Sequence, residues 1–143
     1  ETFHSRTWTT AILGESVNRL IHDDEKAIET TLAGCDIVVS AFSTSGFDLQ
    51  QLMYVSNVPI AVPVYLFYDL ELRHWYEQYC KLDVIPLSEV DMAITVQDAS
   101  GLRGSLERAL KKETKRKCFN EVKAQLIAPS LSSMKVLNHI HNS

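Results

Sequence analysis

The stretch Cys35-Asp36-Ile37-Val38-Val39-Ser40-Ala41-Phe42 constrains the fold more than any other part of the chain. Its centre is β-branched and continuously apolar, whereas a strand with one wet face would alternate. A strand apolar on both faces belongs to a parallel sheet covered by helices on each side. Ser43-Thr44-Ser45-Gly46 follows at once, and Phe47 to Val55 reads as a helix with Phe47, Leu52, Met53 and Val55 available for packing. Asn57-Val58-Pro59 breaks that helix.

The rest of the chain repeats the alternation. Upstream, Asp23 or Asp24 can cap a helix from about Glu25 to Leu32, and Gly34, tolerant of positive φ, is expected to stop it. Downstream, Pro59-Ile60-Ala61-Val62-Pro63-Val64-Tyr65 is a second buried strand, its prolines at an end and near the exit. A helix from Asp69 to Cys80 comes next, then strands around Asp83–Leu87 and Met92–Val96. Asp98 or Ser100 can cap a helix from Gly101 to Lys112, and helical pieces are expected over Thr114–Leu126 and Leu131–His141, with Pro129 between them. The expectation is therefore an α/β domain: an open, mostly parallel, Rossmann-like sheet with helices on both faces and C-terminal helices packing back.

Length and charge narrow the function classes. A chain of 143 residues has the size of one domain. Its apolar share of 45% and charged share of 22% exclude disorder for the bulk of it. A net charge of -4 argues against a general nucleic-acid binder, which needs a basic face. The single basic run holds Lys111, Lys112, Lys115, Arg116 and Lys117. It reads as a solvated helix junction, or as a peripheral contact with anionic lipid. Cys35, Cys80 and Cys118 are too scattered for a disulfide framework or a zinc site and fit a reduced compartment. No apolar run is long enough to span a bilayer, so a cytoplasmic location is expected, with the inner face of the membrane as a variant. The opening Glu1-Thr2-Phe3-His4-Ser5-Arg6-Thr7-Trp8 has neither an initiator Met nor a clear cap, as a fragment of a larger protein would.

In open α/β sheets ligands sit beyond the carboxyl ends of the strands. Ser43-Thr44-Ser45-Gly46 lies at such an end and opens a helix, where free amides and the helix dipole favour an anion. Three hydroxyls add hydrogen-bonding capacity, and Gly46 would let a ligand approach the backbone. A phosphate or diphosphate fits this chemistry. Ser and Thr are also ordinary helix caps, and Gly is ordinary in strand-to-helix turns, so the four residues can equally be structural.

From about Asp23 to Leu126 the chain resembles the C-terminal half of a GT-B glycosyltransferase, of the type that builds bacterial capsule, teichoic acid or related surface polysaccharides. Gly34-Cys35-Asp36-Ile37-Val38-Val39-Ser40, Phe42-Ser43-Thr44-Ser45-Gly46-Phe47-Asp48, Val58-Pro59-Ile60-Ala61-Val62, and Val96-Gln97-Asp98 with Leu102 to Leu110 carry the resemblance. It implies that a nucleotide-activated sugar or polyol phosphate lies over the turn, with Ser43, Thr44, Ser45 and Gly46 facing its phosphates. Asp48 would accept from ribose hydroxyls or orient the helix; a solvated first-turn Asp explains it equally well. The resemblance also implies a missing N-terminal half that supplies the acceptor site and general base, an isolated domain without turnover, and no metal or other cofactor. Self-association over the face that the missing half would cover is a further expectation.

Other candidates are weaker. His74 and Glu77, one helical turn apart, can line the cleft or form a surface pair. Tyr68, with Tyr65 and Phe67, can stack on a base or close the sheet's edge as core. His139 and His141, and His22-Asp23-Asp24, lack the ligand sets of a metal site. No Walker loop, nucleophile elbow or dinucleotide glycine fingerprint occurs. Two alternatives stay open: a sugar-phosphate module resembling sugar-isomerase domains, whose Ser-x-Ser-Gly turn is similar, and a non-catalytic α/β interaction domain.

Overall fold

A computed structural model describes residues 27–41, 44–82, 85, 88 and 91–126. Helix α1 (Ile28–Ala33) leads into strand β1 (Ile37–Ser40), helix α2 (Ser45–Val55), strand β2 (Val62–Leu66) and helix α3 (Leu70–Cys80). Strand β3 (Ile94–Val96), a 3-10 turn (Ala99–Gly101), helix α4 (Leu102–Ala109) and helix α5 (Lys112–Gln125) complete the described order. The sheet is parallel throughout, in the order β1-β2-β3. This is the open α/β arrangement that the alternation of apolar runs and helices predicts.

β2 is the centre of the molecule because both of its faces are covered. Val62 and Val64 pack with Ile94, Val96, Ala109 and Cys118, against α4 and α5. Tyr65 turns to the other face, where it meets Phe47, Phe67, Tyr76, Ile85 and Ala93. On that same face Val38 joins Leu32, Leu49 and Met53 of α1 and α2. β1, by contrast, is an edge among the described strands. Val38 and Ser40 are buried, but Val39 is 47% exposed, so the expected double-sided burial of this strand is corrected to one covered face.

Pro63 is the second correction. It lies inside the central strand, paired in register with Val38, and not near its exit. The ladder explains how this is tolerated. Val62 donates to the Asp36 carbonyl on the β1 side, so the next residue turns its backbone towards β3. Pairing with β3 begins only at Val64↔Ile94, and the N–H that proline lacks has no ladder partner there.

Helix ends also differ from expectation in instructive ways. Gly34 closes α1 with φ -90, an ordinary right-handed value, so its conformational freedom is not used. The left-handed cap falls instead on Lys81, φ 57, at the end of α3. α3 begins as expected: the Asp69 carboxylate accepts from the Leu72 amide at 2.9 Å. Asp98 caps the 3-10 turn by accepting from the Ser100 amide at 2.8 Å, which lowers its pKa. α2 starts at Ser45, two residues earlier than its apolar pattern suggests. The strand expected over Asp83–Leu87 lies mostly outside the described residues; Ile85 is buried and its carbonyl accepts from the Ser88 amide.

α5 runs across the amino ends of the strands. Lys115 donates to Asp36, just ahead of β1, and Lys117 to Asp91, just ahead of β3, both at 2.7 Å. Lys123 donates to the Tyr54 carbonyl in the last turn of α2. Val122 meanwhile buries itself with Met53 and Met92, and Cys118 with Val64. Two of the five cations in the basic run are thus engaged within the fold.

Candidate functional site

The turn singled out by the sequence opens α2 beyond the carboxyl end of β1. Ser43 lies outside the described residues; Thr44 is the N-cap residue, and its carbonyl accepts from the amides of Phe47 and Asp48 at 2.8 and 2.9 Å. Those bonds fix the first turn of an eleven-residue helix whose leading amides concentrate positive potential at Thr44 and Ser45. The Thr44 hydroxyl reaches the Asp48 carboxylate at 3.4 Å. Asp48 therefore sits over the first turn, complementing the helix dipole.

Gly46 has a role that the sequence does not disclose. A Cβ placed on it would stand 2.3 Å from the Tyr65 hydroxyl and 2.6 Å from two ring carbons. Glycine is needed because the phenol of Tyr65 lies flush beneath the helix, and no ligand is required to explain it. Tyr65 and Phe67 are buried core residues. Tyr68 is half-buried and packs at the edge of the β2–β3 core.

A row of hydroxyls crosses the sheet below this turn. The register sets Ser40 opposite Tyr65 and Tyr65 opposite Thr95, all on one face. The side-chain oxygens of all three are buried and have no hydrogen-bond partner. Gln50, fully buried on α2, donates to the Met92 carbonyl at 3.4 Å, yet its own carbonyl oxygen is likewise unpartnered. Burial pushes the Tyr65 phenol up to about 12, with Tyr76 and Asp48 adding to the shift. The phenol is accordingly a hydrogen-bond donor across the physiological pH range.

A cleft of about 550 Å³ opens where β1 and β2 end, lined by Ala41, Leu66, Tyr68, Asp69, Glu71, Leu72 and Trp75. Ala41 is the last described residue before the turn into α2. Of the sequence candidates, Tyr68 lies in this cleft; His74 and Glu77 are exposed on α3 and are not among its lining residues. Leu72 and Trp75, on the same helix, stand there instead. Asp48 faces a separate groove of about 250 Å³ between α1 and α2, beside Glu29, Gln51, Leu52 and Val55.

Among the described residues no group of three or more His, Cys, Asp or Glu is placed to hold a metal ion. His22, Asp23, Asp24, His139 and His141 lie outside the described residues. Among the described residues, no helix is long and apolar enough to cross a membrane. Sequence reasoning missed the hydroxyl row, although its signal was present: Ser40 and Thr95 are polar residues inside otherwise apolar strands. Compared with protein-family models, curated proteins and solved structures, the chain matches none.

Proposed function

We propose that this chain is the donor-binding domain of a glycosyltransferase or glycerophosphotransferase that uses a nucleotide-activated donor for surface-polysaccharide synthesis. The observation that carries the reading is that α2 starts just after the carboxyl end of β1, the strand end whose Ala41 also lines a cleft of about 550 Å³. Donor diphosphate would rest on the leading amides of α2, beside the hydroxyls of Thr44 and Ser45. The cleft itself is acidic, with Asp69 and Glu71 in its wall. Negative charge there turns phosphate away and accepts from the hydroxyls of a sugar or polyol. Tyr68 and Trp75 offer ring faces to the same moiety or to the base. Catalysis would need a second domain over this cleft to supply acceptor and general base.

One observation favours a different reading, that of a non-catalytic α/β interaction domain. Gly46 is explained by Tyr65, and Thr44 by its contact with Asp48, so the turn can serve as a helix cap alone.

Backbone amide shifts separate these readings when the chain is titrated with CDP, UDP, GDP, CMP and a hexose phosphate. Saturable shifts over Thr44 to Asp48 with one nucleoside diphosphate are expected. Response to hexose phosphate alone would move the assignment to a sugar-isomerase-like module. Silence at millimolar ligand would leave the helix cap. Asp48→Asn is the informative variant: if Asp48 binds ribose, it weakens nucleotide while tightening inorganic phosphate, because a repelling charge is gone.

A further inference from the structure

We infer that Tyr65 is a ligand-facing donor of the α2 turn: an oxyanion seated on the leading amides of that helix takes its inner hydrogen bond from the Tyr65 hydroxyl. This rests on the reading that α2 receives a phosphorylated ligand, and it adds a residue that no sequence motif singles out.

Three observations converge. Tyr65 is only 1% exposed and its hydroxyl has no partner, although buried polar groups in folded proteins are nearly always hydrogen-bonded. The hydroxyl is aimed at the first turn of α2, for it stands 2.3 Å from where a Gly46 Cβ would be. Finally, Ser40 and Thr95 stand on either side of Tyr65 in the strand register, and their hydroxyls also lack partners.

The chemistry selects the ligand class. The phenol remains protonated under all ordinary conditions, held so by burial and by the nearby Asp48 carboxylate. A protonated phenol donates best to an acceptor with full negative charge, and such bonds are shorter and stronger than neutral ones. Asp48 is not that acceptor in the fold, because the Tyr65 hydroxyl has no hydrogen-bond partner there. A phosphate or diphosphate oxygen satisfies both the helix amides and the phenol, whereas an ammonium group would satisfy neither.

The probes are inorganic phosphate and pyrophosphate, titrated into the wild-type chain and Tyr65→Phe, with affinity read from the Gly46 amide shift and folding from the melting temperature. Wild type should saturate, and Tyr65→Phe should bind pyrophosphate roughly tenfold more weakly, the size of one lost charge-assisted bond. Its unliganded melting temperature should hold or rise, because an orphaned hydroxyl has been removed. Equal affinity in the two proteins would overturn the role of Tyr65 and leave the phosphate reading standing. No response in wild type to either probe, nor to the nucleotides, would overturn both. Should Tyr65→Phe fail to fold, wild type labelled at the tyrosine ring ζ-carbon answers instead. A pyrophosphate-dependent shift of the Tyr65 signal is expected, and an unmoved signal refutes the inference.

Discussion

The two ends of the sheet are built to different standards. At the amino ends, α5 lies across the strands, and the polar groups it brings are matched: Lys115 with Asp36, Lys117 with Asp91, Lys123 with the Tyr54 carbonyl. Beneath them Val122 and Met92 are completely buried. At the carboxyl ends the order is reversed. Ser40, Tyr65 and Thr95 bury hydroxyls without partners, α3 covers its flank chiefly through Tyr76, and an open cleft begins at Ala41. At one end the charges of α5 are matched and hold the layers together, with the Gln50 carbonyl oxygen beside Met92 as an exception; the other leaves three buried hydroxyls unpartnered. Regions with few buried apolar contacts and exposed ends are where binding elements are drawn from.

The largest test of this contrast lies at the satisfied end. Met92 is fully buried under α2 and α5, and Met92→Ala should destabilise the fold by about 2–5 kcal/mol, measured by urea unfolding. A loss below about 1 kcal/mol would show that the amino end is no better packed than the other. Next in size is Gly46→Ala. The new methyl meets a fully buried aromatic ring that has no room to retreat, and overpacking of this kind costs about 1–3 kcal/mol. Pairing it with Tyr65→Ala, which opens the space, should make the double variant less unstable than the sum of the two singles. Strict additivity would mean that Gly46 and Tyr65 do not compete for the same volume.

The two ends were also unequally legible in the sequence. The strand Ile37–Ser40, the helix after it and the parallel order follow from a continuous β-branched run, a turn and a second apolar run, because hydrophobic pattern is local. The start of α3 at Asp69 was legible for the same reason, and Asp98 does cap, although it caps the 3-10 turn ahead of the expected helix. What stayed hidden depends on contacts between distant residues. Val39 reads as core, but only sheet order reveals that β1 stands at the edge of the described strands. Gly46 reads as a concession to a ligand, while its need comes from Tyr65, brought beneath it by strand pairing. The basic run reads as free charge, yet Lys115 and Lys117 find acids 79 and 26 positions away. In each case the reading went astray because a partner distant in sequence decides the residue's surroundings.

Alkaline titration sharpens the contrast further. The Tyr65 phenol is raised from 10.0 to about 12, so its neutral form is bound into the fold. Its ionisation leaves the fold untouched below pH 10 and costs stability as the pH climbs from 10 to 12, to the extent of about 3 kcal/mol. Cys118, at the amino end, is raised from 9.0 to about 11 by burial, and its window opens one unit lower. Tyr65→Phe should therefore flatten the decline between pH 10 and 12 and leave the one beginning at 9. Cys118→Ser should do the converse. A Tyr65→Phe profile superimposable on wild type would show that the phenol ionises freely, without the burial described here.

The smallest effect belongs to the exposed pair that ties α5 to β1. Lys115, donating to Asp36, holds that carboxyl below its ordinary 3.8. The pair therefore contributes above that value, and its contribution fades as the pH falls through the lowered one. Asp36→Asn should lower the melting temperature at neutral pH by less than any variant above, and the difference should shrink in molar salt, which screens exposed charges within about 3 Å. It should also shrink as the pH falls through the lowered value, where wild type loses the charge as well. A difference that survives both salt and acid would mean that Asp36 acts through its backbone surroundings and not through its charge. The amino end would then owe its order to packing by Val122 and Met92 alone, with the ion pairs as ornaments of a helix already in place.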